Sequence, residues 1–181
     1  MTVQETKLEG CFIIQPQIFE DKRGYFLESF NSKEFYKVTG IKVDFLQDNE
    51  SQSSKGVLRG LHYQKGKYAQ AKLVRVIKGK VLDVVVDLRQ NSKTFGQYVS
   101  IELSEENKIQ VFVPRGFAHG FLVLEDHSIF SYKCDNYYNK DAESGIIFND
   151  RDLNIDWYYP KEDLIISDKD LILPTLKNAD L

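Results

Sequence analysis

The stretch "VRVIKGKVLDVVVDLR", Val74 to Arg89, decides how the rest of the chain reads. Lys78-Gly79 is a turn signal between two Val-rich runs, so the pattern predicts a hairpin of two strands. In the second strand Leu82, Val84, Val86 and Leu88 alternate with Val81, Asp83, Val85 and Asp87. One face is wholly apolar and the other mixed, which is a strand period and not a helical one. If the mixed face meets solvent, both aspartates are ordinary surface residues. If it lines a cavity, Asp83 becomes a candidate site residue.

Working outward, short apolar or alternating runs follow one another with turn signals between them. Before the central stretch they occupy 11–19, 25–30, 42–49 and 57–64, and the centre itself splits into 71–79 and 80–88. After it come 97–103, 109–114, 120–125 and 129–138. Strands this frequent, rich in Val, Ile, Phe and Tyr, predict an all-β sandwich or barrel. One early helix is expected over "KEFYKVTG", capped by Asn31 or Ser32 and ended by Gly40. From about Asp150 the chain is less regular, with a short helix or 3₁₀ turns expected.

The 181 residues are read as one domain, 1–181, without repeats or linkers, and 42% hydrophobic residues suffice for a core. A net charge of -3 provides no basic field for a nucleic-acid backbone. No apolar run approaches membrane-spanning length, and the first residues do not resemble a signal peptide. Cys11 and Cys134 are far apart and read as reduced core thiols, so the expected location is the cytoplasm.

Two stretches carry candidate chemistry. "GVLRGLHYQ" (56–64) puts Arg59 and His62 on one short strand, which is either a solvated edge or a pocket wall. Three residues apart, they point to opposite faces of a regular strand, and Gly60 permits a bulge that brings both to one cavity. "VPRGFAHGF" (113–121) contains P-x-G-x-x-H ending at His119 and resembles the second motif of the cupin superfamily, double-stranded jelly rolls with an internal pocket. A metal-binding cupin has H-x-H in its first motif, but here the chain reads His62-Tyr63-Gln64, and the third histidine, His127, sits in a turn. A transition-metal shell usually takes three or more protein ligands, so no metal is expected and His62 is free for acid–base work. In "FSYKCDNYY" (130–138), Phe130, Tyr132 and Cys134 share an inward face. Tyr132 there either hydrogen-bonds a backbone group or forms an acid–base pair with a histidine across the pocket.

Taken together, "QDNESQSSKGVLRGLHYQ", "QAKLVRVIKGKVLDVVVDLR", "TFGQYVSIELSEENKIQVFVPRGFAHGF" and "YKCDNYYN" resemble the dTDP-4-dehydrorhamnose 3,5-epimerase family. So do "FEDKRGYFLESFN" and "WYYPKEDLIISDKD" at the two ends. The resemblance implies a cupin-type jelly roll with a few short peripheral helices, acting on a dTDP-4-keto-6-deoxy sugar without cofactor or metal. It implies His62 as general base, Asp170 as the carboxylate orienting it, Tyr132 as the acid on the opposite face and Lys72 as the cation near the enolate oxygen. His119 and Asp83 are implied near the sugar, and Arg59 on the diphosphate with Arg23. Gln47, Asn49 and Glu28 are implied as nucleotide and sugar contacts, and Phe19 and Tyr138 as stacking aromatics. A homodimer with strands exchanged between subunits is implied, and either subunit could supply Arg23 and Phe19. The alternatives are a mono-epimerase or 3,4-ketoisomerase, a binding-only cupin, and a metal-dependent cupin.

Overall fold

A computed structural model describes residues 1–181. In chain order the first strands are β1 (Thr2–Glu5), β2 (Phe12–Gln15), β3 (Ile18–Asp21), β4 (Gly24–Leu27), β5 (Gln47–Ser53) and β6 (Val57–Gln64). They are followed by β7 (Lys72–Lys78), β8 (Lys80–Asp87), β9 (Tyr98–Ser104), β10 (Gln110–Val113), β11 (Phe117–Val123) and β12 (Ser128–Cys134). Two short strands, β13 (Glu143–Gly145) and β14 (Ile165–Ile166), come last. One sheet has the order β1-β2-β10-β7-β12-β5 and the other β13-β6-β11-β8-β9, with β14 added in parallel to β6 and a separate β3–β4 hairpin. The expected all-β jelly roll with short peripheral helices is what forms.

The lead stretch folds differently from its reading. β7 and β8 do not pair: β7 lies between β10 and β12, and β8 between β11 and β9 in the other sheet. Gly79 is a crossing point and not a hairpin turn. Its φ is +76°, and a Cβ there would lie 2.3 Å from Ser128 Oγ. The cause lies in what each strand can bury. Val74 and Val76 of β7 meet Val81 and Val85 of β8 across the sandwich, with Phe121 and Phe130 between, and a flat hairpin would leave those faces apart.

The opposite face of β8 is covered as well. Val84, Val86 and Leu88 pack under Ile146, Leu153 and Trp157 of the C-terminal segment. A strand buried on both faces has no solvated side for its aspartates, and Asp83 and Asp87 are both 0% exposed. On the other sheet, α1 (Ser32–Thr39) closes Phe12, Ile14 and Phe112 with Phe35. The helix is capped as expected: Asn31 accepts from Lys33 and Glu34 N–H, and Gly40 ends it in the left-handed region. The expected strand at 42–49 instead begins at Gln47, because Val43 and Phe45 are drawn into this helix cluster. No helix is long and apolar enough to cross a membrane.

Burial of Asp87 is made tolerable by five donors: Arg89 N, Nε and Nη2, Ser92 Oγ and Thr94 Oγ1. Desolvation pushes its carboxyl up, but these bonds win and hold it down at about 2, against an ordinary 3.8. The depressed value makes the ionised form stabilising above about pH 4, and that contribution is lost as pH falls towards 2. Asp87→Asn is therefore expected to flatten the dependence of denaturant unfolding on pH within that window. An unchanged slope would show that the network does not couple to folding.

Candidate active site

A cavity of about 460 Å³ opens between the two sheets. β6 and β11 supply Arg59, His62, His119 and Phe121, β7 and β12 supply Lys72, Phe130 and Tyr132, and residues 165–170 of the C-terminal segment close one side. A smaller lobe of about 270 Å³ shares His62, Lys72 and Tyr132, and adds Gln47, Asn49, Tyr138 and Glu143. The "LRGLHYQ" strand is thus a pocket wall.

Arg59 and His62 reach the same cavity by the bulge that Gly60 allows. On β11, His119 pairs with His62 and Phe121 with Arg59, so two steps on β11 match three on β6. Gly60 has φ +120°, and a Cβ there would lie 2.6 Å from Gly120 Cα and 2.8 Å from His119 O. Only glycine fits. Arg59 then sits at the rim, anchored by Nε and Nη2 to Ser53 Oγ at 3.3 and 3.1 Å.

His62 Nε2 donates to Asp170 Oδ1 at 2.6 Å. Asp170 lies in α2 (Asp168–Leu171) and is buried, with Oδ2 accepting from Gly60 N–H at 3.3 Å. Desolvation pushes its carboxyl up, but the bond and charge of His62 outweigh this and hold it below its ordinary value. An ionised Asp170 places the ring proton on Nε2, and leaves Nδ1 of the neutral ring with a free lone pair.

Tyr132 stands on the opposite wall, on β12. Its hydroxyl makes no hydrogen bond within the protein and is open to the cavity, so the backbone-bonded alternative does not apply. Burial pushes its phenol above the ordinary value. Lys72 Nζ lies 5.7 Å from the centre of the Tyr132 ring. Enclosure by the sheets pushes its ammonium below the ordinary value, although part of the side chain stays open to the cavity.

The remaining expected residues divide. Gln47 and Asn49 are joined at 3.0 Å in the smaller lobe, and Gln47 Oε1 accepts from Tyr138 N–H at 3.0 Å. His119 lines the main cavity, its Nε2 donating to Asp83 Oδ1 at 2.7 Å, so Asp83 reaches the cavity only through that ring. Phe19, Arg23 and Glu28 line neither lobe. Phe19 and Arg23 lie on the β3–β4 hairpin and Glu28 just after it, all exposed, and Arg23 pairs only with Asp21, at 2.6 Å.

Two site residues escaped the sequence reading. Glu143 accepts from Tyr138 Oη at 2.8 Å and pairs with Lys169 at 2.6 Å. Desolvation opposes its ionisation, yet Lys169 and Tyr138 hold its carboxyl below the ordinary value. Glu143 comes from a three-residue strand with no periodic signal, and Lys169 from an acidic tail that looked solvated. No group of three His, Cys, Asp or Glu side chains converges as a metal site.

A family model described as dTDP-4-dehydrorhamnose 3,5-epimerase matches residues 5–178. A protein of that name from Shigella flexneri is 52% identical over 171 residues, covering 94% of this chain and 93% of its own. The crystal structure of a dTDP-4-dehydrorhamnose 3,5-epimerase from Elizabethkingia anophelis superposes with a TM-score of 0.95 at 57% identity, over 98% and 97% of the two chains. That of a dTDP-6-deoxy-D-glucose-3,5-epimerase from Legionella pneumophila, in complex with dTDP-4-keto-L-rhamnose, gives 0.95 at 46% identity, over 99% and 94%.

Gly60→Ala tests the geometry of the pocket wall. The added methyl meets backbone on the facing strand and strains a positive φ, so a loss of about 3 kcal/mol in unfolding free energy is expected. A variant as stable as the wild type would mean that the strands can separate at no cost.

Proposed function

The chain belongs to the dTDP-4-dehydrorhamnose 3,5-epimerase family, and we propose that its chemistry runs between the His62–Asp170 pair and Tyr132. The protein is an isomerase that converts dTDP-4-dehydro-6-deoxy-D-glucose into dTDP-4-dehydro-L-rhamnose. The C4 ketone of this sugar acidifies the protons on C3 and C5. Removing either leaves an enolate whose electron pair rests on O4, so the substrate supplies its own electron sink.

His62 Nδ1 takes the proton from carbon, and Asp170 stabilises the imidazolium that results. Lys72 balances the charge developing on O4. Tyr132 delivers its phenolic proton to the opposite face of the same carbon, which inverts the centre, and solvent restores both groups before the second carbon reacts. A raised phenol value keeps Tyr132 protonated until the enolate forms. Arg59, at the rim, suits the diphosphate because its planar fork matches phosphate oxygens. Gln47, Asn49 and Tyr138, in the smaller lobe, suit the nucleoside. The observation that carries the reading is the opposition of a dyad-bound histidine and an unpartnered tyrosine hydroxyl across one cavity.

A homodimer belongs to this reading. Within one chain the β3–β4 hairpin lies away from both lobes while Phe19 and Phe26 are 53% and 67% exposed. β5, which carries Gln47 and Asn49, is a sheet edge. A hairpin from a second copy laid along that edge would bring Arg23 of the partner subunit to the nucleotide end. Cytoplasmic residence is also part of the reading, supported by two buried, unpaired cysteines.

Turnover of dTDP-4-keto-6-deoxyglucose in D₂O, read by NMR, is expected to place deuterium at both C3 and C5. Label at a single carbon would make the protein a mono-epimerase or ketoisomerase, and none would overturn the reading. His62→Asn is expected to keep affinity for dTDP while kcat falls about 10²- to 10⁴-fold. Unchanged turnover would remove His62 from the mechanism.

A further inference from the structure

A second histidine–carboxylate pair lies beside the one assigned to proton transfer. His119 is the cross-strand neighbour of His62, and Asp83 holds its Nε2. The two carboxylates differ in one respect. Asp170 uses both oxygens, whereas Asp83 Oδ2 is buried without any partner, in a residue 0% exposed. A carboxylate in that state is destabilised by desolvation unless positive charge lies within electrostatic reach.

Lys72 has the complementary deficit. It is enclosed in the wall of the same cavity and makes no ion pair, with the Tyr132 ring at 5.7 Å. Lys72 continues the inward row of Val74 and Val76 on β7, and Asp83 stands between Val81 and Val85 on the inward row of the facing strand β8, so both belong to the same interior. Desolvation works against the Lys72 charge, and Cys134 on β12, Asp83 and Glu143 on β13 work for it. Burial pushes the Cys134 thiol up, so it stays uncharged at neutral pH. Glu143 is already matched by Lys169 at 2.6 Å. The other ionisable groups lining the cavity are Arg59, His62, His119, Tyr132 and Asp170, and Asp170 is committed to His62. Asp83 is left as the buried carboxylate with no permanent cation bound to it.

We propose that Asp83 is a positioning residue: one oxygen fixes the His119 ring, and the bare one supplies the negative charge that balances the Lys72 ammonium inside the barrel. This rests on the reading of Lys72 as the cation beside O4. Its consequence for the reaction is that Lys72 is already charged when the proton leaves carbon, and the growing charge on O4 then competes with Asp83 for it.

The test follows Lys72 directly, by ¹³C NMR of its Cε in full-length protein with labelled lysine, the resonance being assigned by Lys72→Arg. In Asp83→Asn the Lys72 midpoint is expected to fall by about one unit or more. The alkaline limb of kcat should move down with it, at little change in KM. Glu143→Gln is expected to move the midpoint less, and Asp83→Glu to keep it even where displacement of His119 lowers kcat. A folded Asp83→Asn protein with an unmoved midpoint overturns the proposal. Should that variant not fold, wild-type protein carrying ¹³C-labelled aspartate decides: a neutral Asp83 at pH 7 overturns the proposal and an ionised one supports it. Turnover of the keto sugar is measured on the same wild-type sample. Failure there would sink the catalytic reading while the Lys72 titration still reports on Asp83.

Discussion

The active site depends on how closely β6 and β11 approach. Two glycines face each other there, and a Cβ on Gly60 or Gly120 would lie 2.6 or 2.7 Å from the opposing backbone. Such contact is open only to residues without side chains. It lets β6 carry an extra residue, so that Arg59 and His62 serve one cavity although three positions separate them. It also sets His62 directly opposite His119. The spacing of Arg59, His62 and His119 is therefore fixed by backbone and not by flexible side chains.

A second constraint comes from the C-terminal segment, which both covers the outer face of β8 and closes the cavity. Trp157 and Leu153 bury the apolar side of the sheet, each contributing about 1.5–3 kcal/mol by burial. The same segment then runs alongside β6 as β14 and delivers Asp170 to His62. Stability and chemistry thus share one piece of chain. Because that cover makes β8 a strand buried on both faces, its aspartates have to be satisfied internally, and they are satisfied unequally. Asp87 takes five donors, while Asp83 keeps a bare oxygen, the less stable arrangement and the one beside the site.

Much of this was legible in the sequence, for definite physical reasons. Period two is enforced wherever a strand has one apolar face, so the runs at 57–64, 71–79 and 80–88 emerge within a residue or so of their observed ends. Helix α1 was readable because Asn31 and Gly40 supply its caps. β5 was misplaced because its inward residues, Gln47, Asn49 and Ser51, face the cavity and carry no apolar alternation. The crossing at Gly79 was hidden because a turn glycine reads alike whether the next strand pairs with its predecessor or leaves for the facing sheet. Residue types pointed to His62 and Tyr132, while Lys72 and Asp170 were reached only through resemblance. Glu143 and Lys169 had no local signal, since only the tertiary fold brings them to Tyr138.

The His62–Asp170 bond spans 108 residues of sequence. Every strand of the two sheets except β14 ends before residue 146, whereas Asp170 follows β14 in the C-terminal segment, so the carboxylate that holds His62 comes from the last part of the chain to be made. A polypeptide ending before residue 170 would lack the carboxylate that holds the His62 ring, whatever the state of its sheets.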